Sequence, residues 1–218
     1  MKKQFVVFGL GRFGGCLVKE FANLGVEVLA VDKDIDRVNE YSKYVTHSVQ
    51  ANALDELTLK RLGLRNFDHA FVSFGEDIEA SILTSLVLKE IGIPQVWAKA
   101  YNSYHDKVLQ KIGVDRVIQP ERDMANRIAH RIVSDKIIDY IELSKEYSIA
   151  EIEVTDKINN KTLLQLDIRA KYGCNIVGIQ RGQDFMISPA AEENIQKGDI
   201  LIVIGQNQDI NRFEQHGV

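Results

Sequence analysis

The stretch 5–14, FVVFGLGRFG, constrains this chain more than any other. A short apolar run leads into three glycines, Gly9, Gly11 and Gly14, spaced G-x-G-x-x-G. Such a run, broken by those glycines and followed by a helix, makes a phosphate-binding turn. Gly9 permits a tight turn. Gly11 lets backbone approach a pyrophosphate. Gly14 lets the helix pack close to the strand. The free N–H groups and positive dipole end of that helix then face the phosphates.

The motif alone is weak, and its surroundings strengthen it. It follows a β-branched and aromatic run. It precedes Leu17, Phe21, Ala22 and Leu24 at helical spacing, with Gly25 as a stop. A second apolar run, 28–31, then ends in Asp32, eighteen residues after Gly14. A carboxylate there can accept hydrogen bonds from ribose hydroxyls. A glycine-rich turn in an unliganded domain would leave Asp32 unexplained.

Further strands are expected at 45–50, 67–74, 95–100 and 116–118. Helices at 34–43, 55–62, 78–91 and 104–112 alternate with them. Six strands alternating with helices specify an α/β fold, a Rossmann-like, doubly wound parallel sheet over 1–120. Ligands bind beyond the carboxyl ends of such strands. The candidates are therefore Gly9, Gly11, Arg12, Phe13 and Gly14, then Asp32, Lys33 and Asp34. Asn52 and Ala53 follow, then Phe74, Gly75 and Glu76, then Lys99, Ala100 and Tyr101, and finally Glu121 after Pro120.

Pro120 also opens a helix expected to run to about 142. Glu121 and Asp123 lie near its positive end. Met124, Ile128, Ile132, Ile137 and Ile141 fall in one apolar stripe, which reads as a dimerisation or crossover helix over 121–144. From 145 the pattern changes to a small α+β domain, 145–218. Ala150, Ile152 and Val154 alternate with Glu151 and Glu153. A short helix or turn is expected at 163–168, and strands at 175–180, 185–187 and 200–204. Only the last few residues are expected to lack order.

The 218 residues carry a net charge of −4. That balance argues against a nucleic-acid partner, which needs a basic face. Cys16 and Cys174 show no pairing or zinc-binding pattern. No signal peptide is visible, and no apolar run reaches the ~18 residues of a membrane span. A cytoplasmic protein is expected, with any membrane role exerted through a partner. The five histidines lack metal-ligand spacing. No G-x-S-x-G elbow or Cys/His nucleophile pattern is present. The expectation is therefore not an enzyme but a sensor whose nucleotide shifts an assembly. Arg12 can clamp a terminal phosphate or reach one in a neighbouring subunit, or else be a solvated helix-start arginine. The alternative is an NAD(P)-dependent oxidoreductase. A redox-sensing DNA-binding repressor is disfavoured, because no helix-turn-helix lies outside the fold.

These residues carry a resemblance. GLGRFG at 9–14, VDKD at 31–34, ANA at 51–53, SFGEDIEAS at 73–81, AKAYNSYH at 98–105 and PERDM at 120–124 resemble the amino-terminal half of an RCK (KTN-type) regulator. LDIRAKYGCNIVGI at 166–179 resembles its RCK_C half. The resemblance covers nearly the whole chain. It points to the gating-ring subunits of Ktr potassium-uptake systems of Gram-positive bacteria. The carboxyl-terminal motif discriminates, because nicotinamide dehydrogenases lack it.

The resemblance implies a homodimer that assembles into an octameric ring beneath an integral membrane potassium-translocating dimer. The ring would be peripheral on the inner face of the membrane. It implies ATP in the conducting state and ADP in the inactive one, with NAD(H) as a further ligand of the fold. By position, Arg12 would contact the terminal phosphate, in part across the dimer, and Asp32 would hold the ribose. Lys33, Asp34, Asn52, Ala53, Phe74, Gly75 and Glu76 would border the nucleoside. Lys99, Ala100, Tyr101 and His105 would line the same crevice. Glu121 would help hold a divalent or monovalent cation near the γ-phosphate. In the RCK_C half, Asp167, Ile168, Arg169, Asn175 and Ile176 would bind cyclic di-AMP, unless the isoleucines merely pack the domain. Cys174 stands where many relatives carry an apolar residue, and no redox role is expected.

Overall fold

Alternate residues of β1 (Phe5–Phe8) enter two different cores. Val6 and Phe8 join one apolar cluster and Val7 the other. A strand buried on both faces belongs inside a parallel sheet. The computed structural model describes residues 3–133 and 136–218, without the side chains of Glu56, His130 and Arg131. It divides into two compact units, Met1–Pro120 and Glu121–Val218.

In the first unit β1 is joined by β2 (Val28–Asp32), β3 (His47–Gln50), β4 (His69–Val72), β5 (Gln95–Lys99) and β6 (Arg116–Ile118). All pairs are parallel, in the order β3-β2-β1-β4-β5-β6. Helices α1 (Arg12–Asn23) and α2 (Ile35–Tyr41) cover one face through Val18, Val38 and Tyr41. On the other lie α3 (Glu56–Arg61), α4 (Ile78–Ile91) and α5 (Ser103–Ile112), packed through Leu59, Leu88 and Leu109. The expected Rossmann-like sheet is thus the observed one. Strand order reverses beside β1, so the glycine turn opens at the topological switch point.

The second unit starts with α6 (Pro120–Val133). The helix expected to reach about 142 ends at Val133 instead. Residues 137–142 form a strand, β7 (Ile137–Glu142), paired antiparallel with β8 (Tyr147–Glu153). Its β-branched and aromatic residues favour strand, and burial of Ile137 and Tyr140 in the sheet decides the matter. The helical stripe through Ile137 and Ile141 was a coincidence of spacing, and 121–144 is not one helical linker. Ser134 and Asp135, inside that expected helix, lie outside the described residues.

Next come α7 (Leu163–Leu166), α8 (Ile168–Tyr172), β9 (Asn175–Arg181), β10 (Asp184–Ile187), β11 (Ile200–Gln206) and α9 (Asn207–Arg212). The sheet is antiparallel, ordered β10-β9-β11-β8-β7. Thr162 caps α7 in a reciprocal capping box with Gln165.

The last residues are ordered, against expectation. Phe213 and Val218 are buried in the core. Lys136 Nζ donates to Glu214 O at 2.8 Å and to Val218 O at 2.7 Å, and Lys157 Nζ donates to His216 O. Cys174 is buried in the same core. Burial, with a smaller push from Asp209, raises its thiol to about 11. It is not a thiolate at neutral pH, and nucleophilic redox chemistry needs one.

Candidate functional site

The glycine turn is held by contacts that only glycine allows. Gly9 has φ +87°, and a Cβ there would lie 2.6 Å from Ser73 O. A Cβ on Gly14 would stand 1.9 Å from Gly9 O, so α1 starts hard against the turn. Around Gly11 the nearest atom to such a Cβ is Arg37 Nη1, 3.7 Å away. That side of the turn is open.

Helix α1 begins without a side-chain cap and with no acidic residue in its first turn. Asp34, Asp55, Asp77 and Asn102 cap α2, α3, α4 and α5. The first N–H groups of α1 are therefore left for an anion. Asp32 ends β2 with only 6% of its surface exposed. Leu10 N–H donates to its Oδ2 at 2.6 Å, and Asp34 N–H donates to its Oδ1 at 2.9 Å. Each carboxylate oxygen keeps capacity for a further donor. Lys33 Nζ donates to Asp77 Oδ2 at 3.3 Å, and Gln50 Nε2 to Lys33 O at 3.1 Å, tying the neighbouring loops together.

These loops enclose a cleft of about 390 Å³, within the usual size of a small-ligand site. Gly9, Gly11, Arg12, Asp32, Lys33, Asn52, Ala53, Phe74, Gly75 and Glu76 line it, brought together from the ends of β1, β2, β3 and β4. Arg37, Ala51, Ser73, Asp77 and Ala80 line it too. None of the five was named as a ligand residue, although all but Arg37 lie within the stretches 51–53 and 73–81 quoted above. Asp77 could have been found as the cap of α4, and Arg37 as a cation one turn into α2. Arg12 has neither an ion pair nor a hydrogen bond from its side chain among the described residues.

The other candidates lie elsewhere. Gly14 is buried behind the turn. Phe13 packs beside Phe71, with Lys99 Nζ 5.9 Å above its ring. Asp34 accepts from Asp36 N–H at the start of α2. Ala100 is buried and Tyr101 exposed. His105 is buried and acts as a support: its Nδ1 accepts from Tyr101 N–H at 3.1 Å. The ring proton then sits on Nε2, which has no partner among the described residues. Burial lowers the His105 pKa, and Asp106 offsets this in part. Asp106 also accepts from Gln119 Nε2 at 2.9 Å, fixing the residue before Pro120. Glu121 belongs to the second unit.

In the second unit Asp167, at φ +45°, links α7 to α8. Asp167, Arg169 and Asn175 are exposed, and Ile176 is half-buried. Ile168 is buried in the core. Among the described residues Asp167 and Arg169 form no ion pair. A separate cleft of about 410 Å³ lies between α6 and β7. Its arginine, Arg127, is already bound to Asp139 through two hydrogen bonds.

A Rossmann-like domain with an open glycine turn, followed by a small antiparallel domain, defines a two-domain protein of the α/β plus α+β class. Residues 5–120 match the TrkA-N domain and residues 149–216 the TrkA-C domain. The chain belongs to this TrkA-N/TrkA-C family. It is 57% identical over 215 residues to Ktr system potassium uptake protein C of Bacillus subtilis (strain 168), covering 99% of this chain and 97% of that protein. It is 50% identical over 216 residues to Ktr system potassium uptake protein A of the same organism, with coverage of 99% and 97%. The fold is similar to the crystal structure of the GsuK RCK domain, with a TM-score of 0.68 and 16% identity. That match covers 99% of this chain and 47% of the GsuK chain. Among the described residues no helix is long and apolar enough to cross a membrane.

Proposed function

We propose that this chain is a nucleotide-sensing regulatory subunit of a potassium-uptake transporter, with no catalysis of its own. The observation that carries the reading is Arg12, unpaired among the described residues, beside an uncapped helix start in a cleft that also holds Asp32. The kinship with two potassium uptake proteins supports the proposed partner class: an integral membrane potassium-translocating subunit, with this protein peripheral on its cytoplasmic side. Asp32 would take the ribose hydroxyls, the α1 N–H groups the inner phosphates, and Arg12 the terminal phosphate that separates ATP from ADP. NAD(H) would fit the same turn.

Exposed Met124, Ile128 and Ile132 on α6 give an apolar face suited to a second copy, in keeping with a homodimer that builds an octameric ring. Glu121 offers a carboxylate to a hard cation. Among the described residues no three His, Cys, Asp or Glu side chains could hold a metal ion together. The remaining ligands of such a cation would be phosphate oxygens and groups of the second copy. Exposed Arg169 and Asn175 suit the phosphates and bases of cyclic di-AMP, the proposed inhibitory ligand.

Thermal melting with ATP, ADP, NADH and cyclic di-AMP tests the reading, because a ligand of the native state raises stability by mass action. ATP, ADP and cyclic di-AMP are each expected to protect. Protection by NADH alone, with a substrate that oxidises it, would establish the oxidoreductase instead. A strict monomer by mass under every nucleotide would remove the ring. Arg12→Ala is expected to lower the preference for ATP over ADP about tenfold, the worth of one hydrogen bond to a charged group. Equal losses for both nucleotides would show that Arg12 does not read the last phosphate. Arg169→Ala is expected to abolish cyclic di-AMP binding and leave ATP protection intact. Loss of both would indicate misfolding.

A further inference from the structure

Arg37 lies in the first turn of α2, three residues past the Asp34 cap. Its Nη1 is 3.8 Å from Asp32 Oδ2, and its Nε is 3.5 Å from Asp34 Oδ2. Both separations exceed ordinary hydrogen-bond reach, and Arg37 donates no side-chain hydrogen bond among the described residues. Its side chain is 51% exposed. The guanidinium hangs over Gly11, on the open side of the turn.

An arginine kept only to neutralise a buried carboxylate looks different in this same chain. Arg181 binds Asp199 through two hydrogen bonds, at 3.0 and 2.8 Å. Asp32 is already held by two backbone N–H groups, so Arg37 is not needed to fix it.

We infer that Arg37 is a second phosphate-reading cation of the cleft. It rests beside Asp32 and Asp34 until a nucleotide enters, then turns to the phosphates next to Gly11. The inference rests on the nucleotide reading above and adds a residue to it. Ribose hydroxyls take the remaining acceptor capacity of Asp32 as the guanidinium leaves. The phosphates beside Gly11 are the inner ones, common to ADP and ATP. Arg37 thus sets affinity for the diphosphate, whereas Arg12 would report the third phosphate. An arginine near the end of β2 can instead read a ribose 2′-phosphate. Asp32 opposes that role, because its fixed carboxylate would face the added phosphate.

Isothermal titration of the full chain with ADP, ATP, adenosine and NADPH tests the assignment. In Arg37→Gln the ADP and ATP affinities fall by the same factor, about tenfold. The ratio of ADP to adenosine affinity falls by that factor as well. Arg37→Lys keeps the charge without the fork and recovers part of the loss. An unchanged ADP affinity would overturn the assignment. So would an equal loss for adenosine, which would mean that Arg37 only supports Asp32. A loss confined to NADPH would move Arg37 to the 2′-position. Wild-type protein that binds neither ADP nor ATP would overturn the nucleotide reading together with this one. Wild-type binding matched by Arg37→Gln would overturn this one alone.

Discussion

Gly14→Ala is expected to unfold the first domain under mild denaturant, whereas Gly11→Ala leaves it folded and unable to hold a nucleotide. The added methyl at position 14 would lie 1.9 Å from Gly9 O. The clash is with backbone, which has no side-chain torsion to relieve it. Overpacking of this kind costs about 3 kcal/mol, the upper end of the usual range, and the helix must shift away from the turn to reduce it. At position 11 the nearest atom is the tip of a long, half-exposed arginine, 3.7 Å away. The same methyl is tolerated by the fold but occupies the space a pyrophosphate would enter. The chain has one tryptophan, Trp97, and it lies in β5 of this domain. A urea melt followed by its fluorescence therefore reports this domain. Gly14→Ala should melt at clearly lower urea than wild type, and Gly11→Ala within error of it. Adding ADP should raise the midpoint of wild type only. A Gly14→Ala protein with wild-type stability would mean that the turn is looser than the geometry requires.

The second large effect lies in the other domain. Arg181→Ala is expected to cost about 3 kcal/mol, because it leaves Asp199 buried without its counter-ion. In the wild type, burial works against ionisation of Asp199. The Arg181 hydrogen bonds and the Gln196 N–H outweigh it and hold the carboxyl below its ordinary value. A depressed folded value contributes stability that is complete above the unfolded carboxylate range, about pH 3.9, and is lost as pH falls through the folded value. Without Arg181 the burial dominates and the carboxyl shifts upward. The variant then gains stability from protonation as pH falls toward about 3.9, a range in which the wild type has not yet begun to lose it. Its deficit is expected to be largest at neutral pH and to shrink toward about pH 4. Hydrogen exchange of the β8, β9 and β11 amides would follow this domain by itself. A deficit independent of pH would point to lost packing of the arginine stem instead.

The sequence made most of the first domain legible, because its signals are local. Helix ends are marked by residues with a single job. Asp55 and Asn102 cap, Gly63, Gly92 and Gly113 take positive φ, and Asp77 holds the first turn of α4. Ten of the proposed ligand residues line one cleft because parallel strands put all their carboxyl ends on one edge. Lys99, Phe13 and His105 sit at the same edge but do not line the cleft. Phe13 turns to Phe71, and the imidazole of His105 is spent on the backbone of Tyr101. Proximity to a strand end tells which loop a residue is on, not which way its side chain faces. Arg37 shows the converse. It follows Asp32 by five residues with no motif to mark it, and only the path of α2 carries it back over Gly11.

The first strand of the second unit shows where local signals fail. Residues 137–142 satisfy a helical stripe and a strand equally well, since isoleucine at every fourth position is compatible with both. Pairing with β8 and burial of Ile137 and Tyr140 decide for strand. The same holds at the carboxyl end, where Phe213 and Val218 fill a core shared with Ile137, Ile152 and Leu166, far away in sequence. By itself the sequence determined the alternating α/β half, the glycine turn with its carboxylate partner, and the family. Those rest on contacts between near neighbours and on φ values that few residues adopt. The tertiary structure decided the end of α6, the order at the carboxyl end, and which charges share the cleft. Those depend on burial against distant strands, and no short window of sequence contains that energy.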